Sequence, residues 1–323
     1  MENPLVSVII STKNRPTLLL QTIDSILVQT YPSLELVIID DGSSQSVAPL
    51  VAEHLAQHHL KHNCIRHEVS QGLAIARNVG ASHSAGQYLY FLDDDDLLVN
   101  SALEVLVDII QEYKLDCVFN NIEPFGQEAL IKANELEQAT NRVLAGVAAR
   151  KPREDVYLFD SNLLKMLLLT VPTSFQKGLV TRDFWIQTGG MRPHSELPDS
   201  EWAIKAALLG KCGLVLQKLY RWRVDGQNIY SMKKDEYRIQ YHVVANMEAL
   251  VKYGSESAQV GKESRQLLKQ ALAKSYYDLA WGYREQAEYA KAFQTLLKAS
   301  SVNFKFRHIL FAMKLVLRAL TNK

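Results

Sequence analysis

Residues 88–96 read YLYFLDDDD, an apolar run of strand type that ends in four consecutive carboxylates, Asp93, Asp94, Asp95 and Asp96. Four such charges repel one another unless something positive sits among them. A divalent cation holding a diphosphate would do so, because hard oxygen ligands suit Mg²⁺ or Mn²⁺. The other reading is an acidic loop in which Asp96 or nearby Asn100 caps the following helix. Upstream, Leu34–Asp40 is a second buried-type strand that runs into Asp40, Asp41, Gly42 and Ser43. Leu5–Ser11 is a β-branched run followed by Thr12, Lys13 and Asn14. Helical spacing fills the intervals over Arg15–Gln29, Val47–His59 and Gly72–Ser84, with Pro16 suited to a first turn and a short strand near Ile65. Strands alternating with helices predict an α/β fold with a mixed, mostly parallel sheet and ligands at the strand carboxyl ends.

Beyond this region the pattern loosens. Asp116–Ile122 reads as a strand, Glu123–Asp155 as polar loop with weak helix signals, and Asp199–Leu209 as an amphipathic helix. From about Asp235 the chain reads as helix throughout. Tyr276–Ala299 resembles one tetratricopeptide-type helix pair with Gly282 near its turn. The expected division is residues 1–115 and 116–232 as two halves of one sheet domain, with 233–323 an all-helical C-terminal appendage.

Composition narrows the classes. Hydrophobic residues make up 47% and charged residues 22% of 323, which excludes a disordered chain. Cys64, Cys117 and Cys212 are odd in number and widely spaced, which fits a reducing cytosol rather than a disulfide framework or a zinc site. No basic start leads into an apolar run, and no stretch reaches membrane-spanning length, so a cytoplasmic protein is expected. The net charge of +1 conceals an asymmetry, since seven Lys or Arg and no Asp or Glu follow Glu288. In Val302–Leu320 the apolar Phe304, Ile309, Phe311, Met313, Leu315, Val316 and Leu320 stand against a stripe of Arg307, Lys314 and Arg318. Such a helix either lies on an anionic membrane surface or packs in the core. His54, His58 and His62 share i, i+4 spacing, but on an outer helix where a metal site is not expected.

Four strings in order, LVSVIISTKNRPTLL (5–19), SILVQTYPSLELVIIDDGSS (25–44), GLAIARNVG (72–80) and YLYFLDDDD, closely resemble family 2 glycosyltransferases of GT-A fold. The likeness is dense over residues 4–100 and resumes at 182–190, 198–210 and 220–231. It implies an inverting transfer of a sugar from a nucleotide diphosphate, UDP by family default, to an acceptor hydroxyl. It also implies a Mn²⁺ or Mg²⁺ cofactor, a saccharide or lipid-linked saccharide acceptor as in bacterial surface polysaccharide assembly, and no nucleic-acid partner.

Residue by residue, the resemblance implies nucleotide contacts for Ser11 and Lys13, with Asp41 on the acid that holds the base. It puts Asp94 near the ribose and Asp95 on the metal, with Asp93 as the other candidate ligand because four aspartates leave the register ambiguous. Arg77 either meets the diphosphate or makes a surface ion pair. The general base is expected at Asp199, in ELPDSEWAIKAALLG (196–210), where Pro198 replaces the usual Glu. Glu196 and Glu201 are substitutes, and capping of the helix is the structural alternative. Arg221 and Arg223 either clamp the diphosphate or face solvent. Two competing functions remain: a catalytically silent nucleotide-sugar binder, and a sugar nucleotidyltransferase, whose Gly-rich N-terminal loop is missing here.

Overall fold

The computed structural model describes residues 3–159, 162–225 and 236–321. The chain divides into two compact units, Met1–Asn228 and Ile229–Lys323. In the first, the order is β1 (Val6–Thr12), α1 (Pro16–Leu27), β2 (Leu34–Asp41), α2 (Ala48–Leu55), β3 (Lys61–His67), α3 (Leu73–Ser82), β4 (Tyr88–Asp93), β5 (Leu97–Leu98), α4 (Ala102–Glu112) and β6 (Cys117–Phe125). Then follow α5 (Ala129–Gly146), β7 (Ala149–Arg153), β8 (Val156–Phe159), α6 (Leu163–Leu167), β9 (Gly178–Thr181), α7 (Arg182–Thr188), α8 (Pro198–Leu209) and β10 (Cys212–Arg223).

Among the described residues ten strands join one mixed sheet, in the order β3-β2-β1-β4-β9-β6-β10-β8-β7, with β5 paired to β10. The strands β3, β2, β1 and β4 are parallel neighbours. Their runs of Val and Ile have both faces covered; Val6, Val8, Ile9 and Ile10 are wholly buried. Each such side chain stabilises the fold by about 1.5–3 kcal/mol. α3 lies close against this sheet, and a Cβ on Gly80 would meet Ile9 Cγ2 at 2.4 Å. The sheet continues across the expected boundary at 115/116. There β9 inserts antiparallel between β4 and β6, a direction reversal that strand–helix alternation does not foretell.

The local chemistry accounts for most element ends. Pro16 opens α1 at its first turn, and Thr181 Oγ1 accepts from Phe184 N at 3.2 Å to cap α7, which ends on Gly189 at φ 73°. Residues 123–155, expected as mostly loop, instead hold the 18-residue α5. Its buried Leu136, Thr140 and Val143 are too few to give a strong amphipathic signal, so packing rather than pattern makes this helix. α2 stops at Leu55, leaving His58 in a turn and His62 on β3, so the three histidines share no face. His54 bonds Asp24 instead.

The second unit is helical: α9 (Glu236–Glu256), α10 (Lys262–Glu285), α11 (Tyr289–Val302) and α12 (Phe306–Thr321). Gly282 lies buried in the last turn of α10 rather than at the turn, which is made around Ala287 at φ 60°. Among the described residues no helix is long and apolar enough to cross a membrane. The three cysteines are free thiols.

Candidate active site

The parallel register brings three strand ends to one edge. Ser11 pairs with Asp93 across β1 and β4, while Thr12 pairs with Asp40 across β1 and β2. Loops at the carboxyl ends of β1, β2 and β4 therefore converge, as open α/β sheets require for a ligand crevice. The fourth contributor comes from the other half of the sheet. β5 pairs antiparallel with Tyr220 and Arg221, which carries the end of β10 against the aspartate run.

Each aspartate has a different environment. Asp93 is claimed on both oxygens, Oδ1 by Arg77 and Oδ2 by Lys177. Burial would raise its pKa, but the two cations outweigh burial and hold it well below the usual carboxylate range. Asp94 accepts from Thr12 Oγ1 at 2.7 Å and from Arg15 at 3.2 Å. Burial, reinforced by the charges of Asp95 and Asp93, still pushes it up to about 6. Asp95 accepts from Arg15 at 2.9 Å, and its pKa is raised by burial and by Asp93. Asp96 does not cap a helix; it is buried and accepts from the Tyr220 hydroxyl and from Arg223 N at 2.8 Å. Burial first, then Asp93, raises it to about 8. Asp96 thus ties the cluster to β10, and Arg223 adds a 2.8 Å bond from Nε to the Asp95 carbonyl.

Arg77 on α3 is fully buried, and it joins Asp93 to Asp199 through its two terminal nitrogens. It is no surface ion pair. Burial disfavours its charge, yet Asp199 and Asp93 outweigh that and raise its pKa. Asp199 stands in the first turn of α8, after Pro198, and makes no capping bond; the helix starts one residue before it. Its substitutes fare differently. Glu201 is buried and committed to Arg192 and Ser195, whereas Glu196 is exposed.

Two expected nucleotide contacts lie at the same edge. The Ser11 hydroxyl is buried and makes no hydrogen bond to any described residue, while Lys13 is exposed in the turn after β1. Asp41 is less open than its expected role requires. It accepts from His67 Nδ1 and Ser70 Oγ at 2.7 Å, from Gln71 N at 2.8 Å and from Gly72 N at 3.0 Å. Four bonds fill a carboxylate, so in this state Asp41 builds the loop that opens α3. Burial opposes its charge, but these bonds lower its pKa. Beside it, a cavity of about 340 Å³ lies between Asn14 and Pro16 on one side and Ser43 to Val47 on the other.

Residues 7–161 match the profile of Glycosyl transferase family 2. This segment, just under half of the chain, is similar to glycosyl transferase family 2. One relative, the UDP-Glc:alpha-D-GlcNAc-diphosphoundecaprenol beta-1,3-glucosyltransferase WfgD of Escherichia coli, is 28% identical over 131 residues, covering 41% of this chain and 51% of that protein. The chain spans 51% of the length of WfgD and 15% of the length of an uncharacterized glycosyltransferase of Rickettsia bellii, to which it is 36% identical over 107 residues, or 33% of this chain. Among solved structures, S. aureus TarS 1–349 superposes with a TM-score of 0.65 at 15% identity, covering 91% of this chain and 80% of that one. The mannosyltransferase PcManGT of Pyrobaculum calidifontis, solved with GDP-Man and Mn²⁺, gives 0.57 at 16% identity over 99% and 81%. These two likenesses establish the GT-A type of fold.

Three groups of this candidate site escaped the sequence reading or were left open by it: Arg15, Lys177 and Arg223. Lys177 is buried with its ammonium on Asp93 and 5.1 Å from the Tyr220 ring centroid. Nothing local marks it, because it reaches the site only through the antiparallel β9. Arg15 had a usable signal. It follows the β1 turn at the same edge, where four aspartates require nearby cations.

Proposed function

We propose that the protein is an inverting glycosyltransferase moving a sugar, from a UDP-sugar by preference, onto an acceptor hydroxyl. The observation that carries the proposal is the convergence of Asp94, Asp95, Arg77 and Asp199 beside the ends of β1 and β4. Support for a nucleotide-sugar donor comes from the TarS fragment, which has been solved with UDP-GlcNAc and with UDP, and from the name of WfgD.

The donor set fits a divalent cation. Among the described residues no group of three His, Cys, Asp or Glu could hold an ion alone. Mg²⁺-type sites, however, use one or two carboxylates and take the rest from phosphate and water. Asp94 and Asp95 would hold it, with Arg15 now on the same oxygens. Burial first, and then the neighbouring aspartate charges, raise the pKa of both carboxyls despite Arg15, and a bound cation would offset that cost. Asp93 is already engaged on both oxygens by Arg77 and Lys177, which favours Asp94 and Asp95 as the ligands. When bound, the cation supplies charge neutralisation for the diphosphate leaving group.

The chain's own residues do the rest. Ser11 offers its unsatisfied hydroxyl to the nucleotide, and Lys13 adds charge at the same edge. A base N–H would reach Asp41 by replacing a bond from His67 or Ser70. Arg77 holds one oxygen of Asp199, leaving the other to take the acceptor proton as the hydroxyl attacks the anomeric carbon. One base and in-line attack invert the configuration, and no nucleophilic carboxylate is needed. The acceptor is a saccharide or lipid-linked saccharide, the latter placing the reaction at the inner face of the cytoplasmic membrane.

The testing experiment measures thermal stability with UDP, GDP, dTDP and CDP, each with Mn²⁺, Mg²⁺ or EDTA. A metal-dependent rise with one diphosphate names the donor class, since a ligand bound only by the folded state stabilises it by occupancy. Tight binding of the UDP-sugar without transfer or hydrolysis, unaffected by Asp199→Ala, would replace the proposal with a silent binder.

A further inference from the structure

The terminal helix has two apolar faces with different fates. Phe311 and Leu315 are buried with Ala280, Ala292 and Leu296 in the core of the helical unit, and His308 is buried beside them. The opposite face is not covered. Phe306, Ile309, Leu310, Met313 and Leu317, at i, i+3, i+4, i+7 and i+11, are between 43% and 70% exposed. That spacing is one continuous stripe. Read as a sequence, the helix offered a choice between core packing and a membrane surface. The structure divides it lengthwise, so one side is already satisfied by packing while the other carries large side chains in water.

Charge decides what such a stripe suits. Residues 229–323 carry sixteen Lys or Arg against eight Asp or Glu, whereas residues 1–228 carry twenty against twenty-seven. Along α12 itself Arg307, Lys314 and Arg318 run down one flank of the stripe, and no acidic residue occurs after Glu288. Arg307 lies 4.5 Å from the Tyr277 ring centroid. A second copy of this face would set like charges against like. A surface that is apolar below and anionic above matches both features together.

We propose that the exposed face of α12 docks on an anionic lipid surface, with the helix lying in the plane of the interface. Leu310, Met313 and their neighbours enter the acyl boundary, and the flanking basic residues meet the headgroups. The helix is about 24 Å long at 1.5 Å per residue, too short to span the ~30 Å hydrocarbon core. Its buried side keeps it attached to α10 and α11 while it binds, so the surface is formed before the lipid arrives. The inference rests on the helical unit alone and holds whichever sugar is transferred.

The test is co-sedimentation of the full chain with vesicles of equal parts phosphatidylglycerol and phosphatidylcholine, against vesicles of phosphatidylcholine only. Binding to the anionic vesicles, weakened by salt, is expected. Lys314→Gln should weaken it about fivefold. Leu310→Glu with Met313→Glu should abolish it while circular dichroism and melting temperature stay at wild-type values, since both side chains are exposed. Equal binding to both vesicle types, or no binding to either, would overturn the proposal. So would self-association of the chain that the double variant removes without any vesicle binding. Vesicle binding needs neither donor nor metal. A chain that transfers sugar to a soluble acceptor but ignores vesicles sinks this inference and leaves the proposed activity standing.

Discussion

At the scale of single residues the aspartate run is four different groups, and variants should separate them. Asp95→Ala should remove the metal-dependent part of nucleotide stabilisation, about 2.7 kcal/mol at a hundredfold excess over Kd, with the nucleotide-free melting temperature little changed. Asp199→Asn should bind donor as tightly as wild type and turn over ~10²–10⁴-fold more slowly, the ordinary worth of a general base. Activity within a few-fold of wild type would remove Asp199 from that role. Glu35 gives a pH test away from the site. It is buried and accepts from Ser7 Oγ at 2.7 Å and from Ala85 N, with Lys61 at 3.0 Å. Burial would raise its pKa, but these partners lower it. Its stabilisation is therefore fully present above the unfolded value of about 4.3 and is lost as pH falls through the lower folded one. Urea melts of Glu35→Gln should show a loss of ~1–2 kcal/mol at neutral pH, shrinking as both proteins are taken below about pH 4.

At the scale of elements, the loops after β2 and β3 are built against each other. Gly42 has φ 76°, and a Cβ there would meet Ser70 N at 2.7 Å, a backbone atom that cannot step aside cheaply. The same Ser70 donates its hydroxyl to Asp41. Gly42→Ala should thus cost ~1–3 kcal/mol by strain and overpacking and should loosen the Asp41 loop. Denaturant midpoints and nucleotide affinity should fall together. An unchanged affinity in a destabilised variant would show that this loop does not touch the nucleotide. β10 makes the complementary point. Its bulges beside β6 and its pairing with β5 deliver Tyr220 and Arg223 to Asp96, so the second half of the sheet completes the first.

At the scale of the molecule there are two units of opposite charge character. The proposed donor site lies within residues 1–228, and the basic exposed helix lies within residues 229–323. Amide hydrogen exchange with UDP and Mn²⁺ should slow in the loops after β1, β2 and β4 and leave α10–α12 at their ligand-free rates. Protection that appears in α10–α12 instead would show that nucleotide binding is not confined to the sheet unit.

Strands β1, β2 and β4, and the aspartates that end β2 and β4, are legible in the sequence alone. These depend on local runs of β-branched residues, turn chemistry and short-range order. It also marked Arg77, Asp199 and the basic terminal helix as candidates. The separate surroundings of the four aspartates are visible only in three dimensions, because Asp93 is taken up by Arg77 and Lys177, which arrive from elements 16 and 84 residues away. The antiparallel β9, the helix α5 and the division of α12 into a packed and an exposed face were equally hidden. Strand direction, a weakly patterned helix and the covering of one apolar face are settled by what packs against them, and one element's sequence does not contain its neighbours.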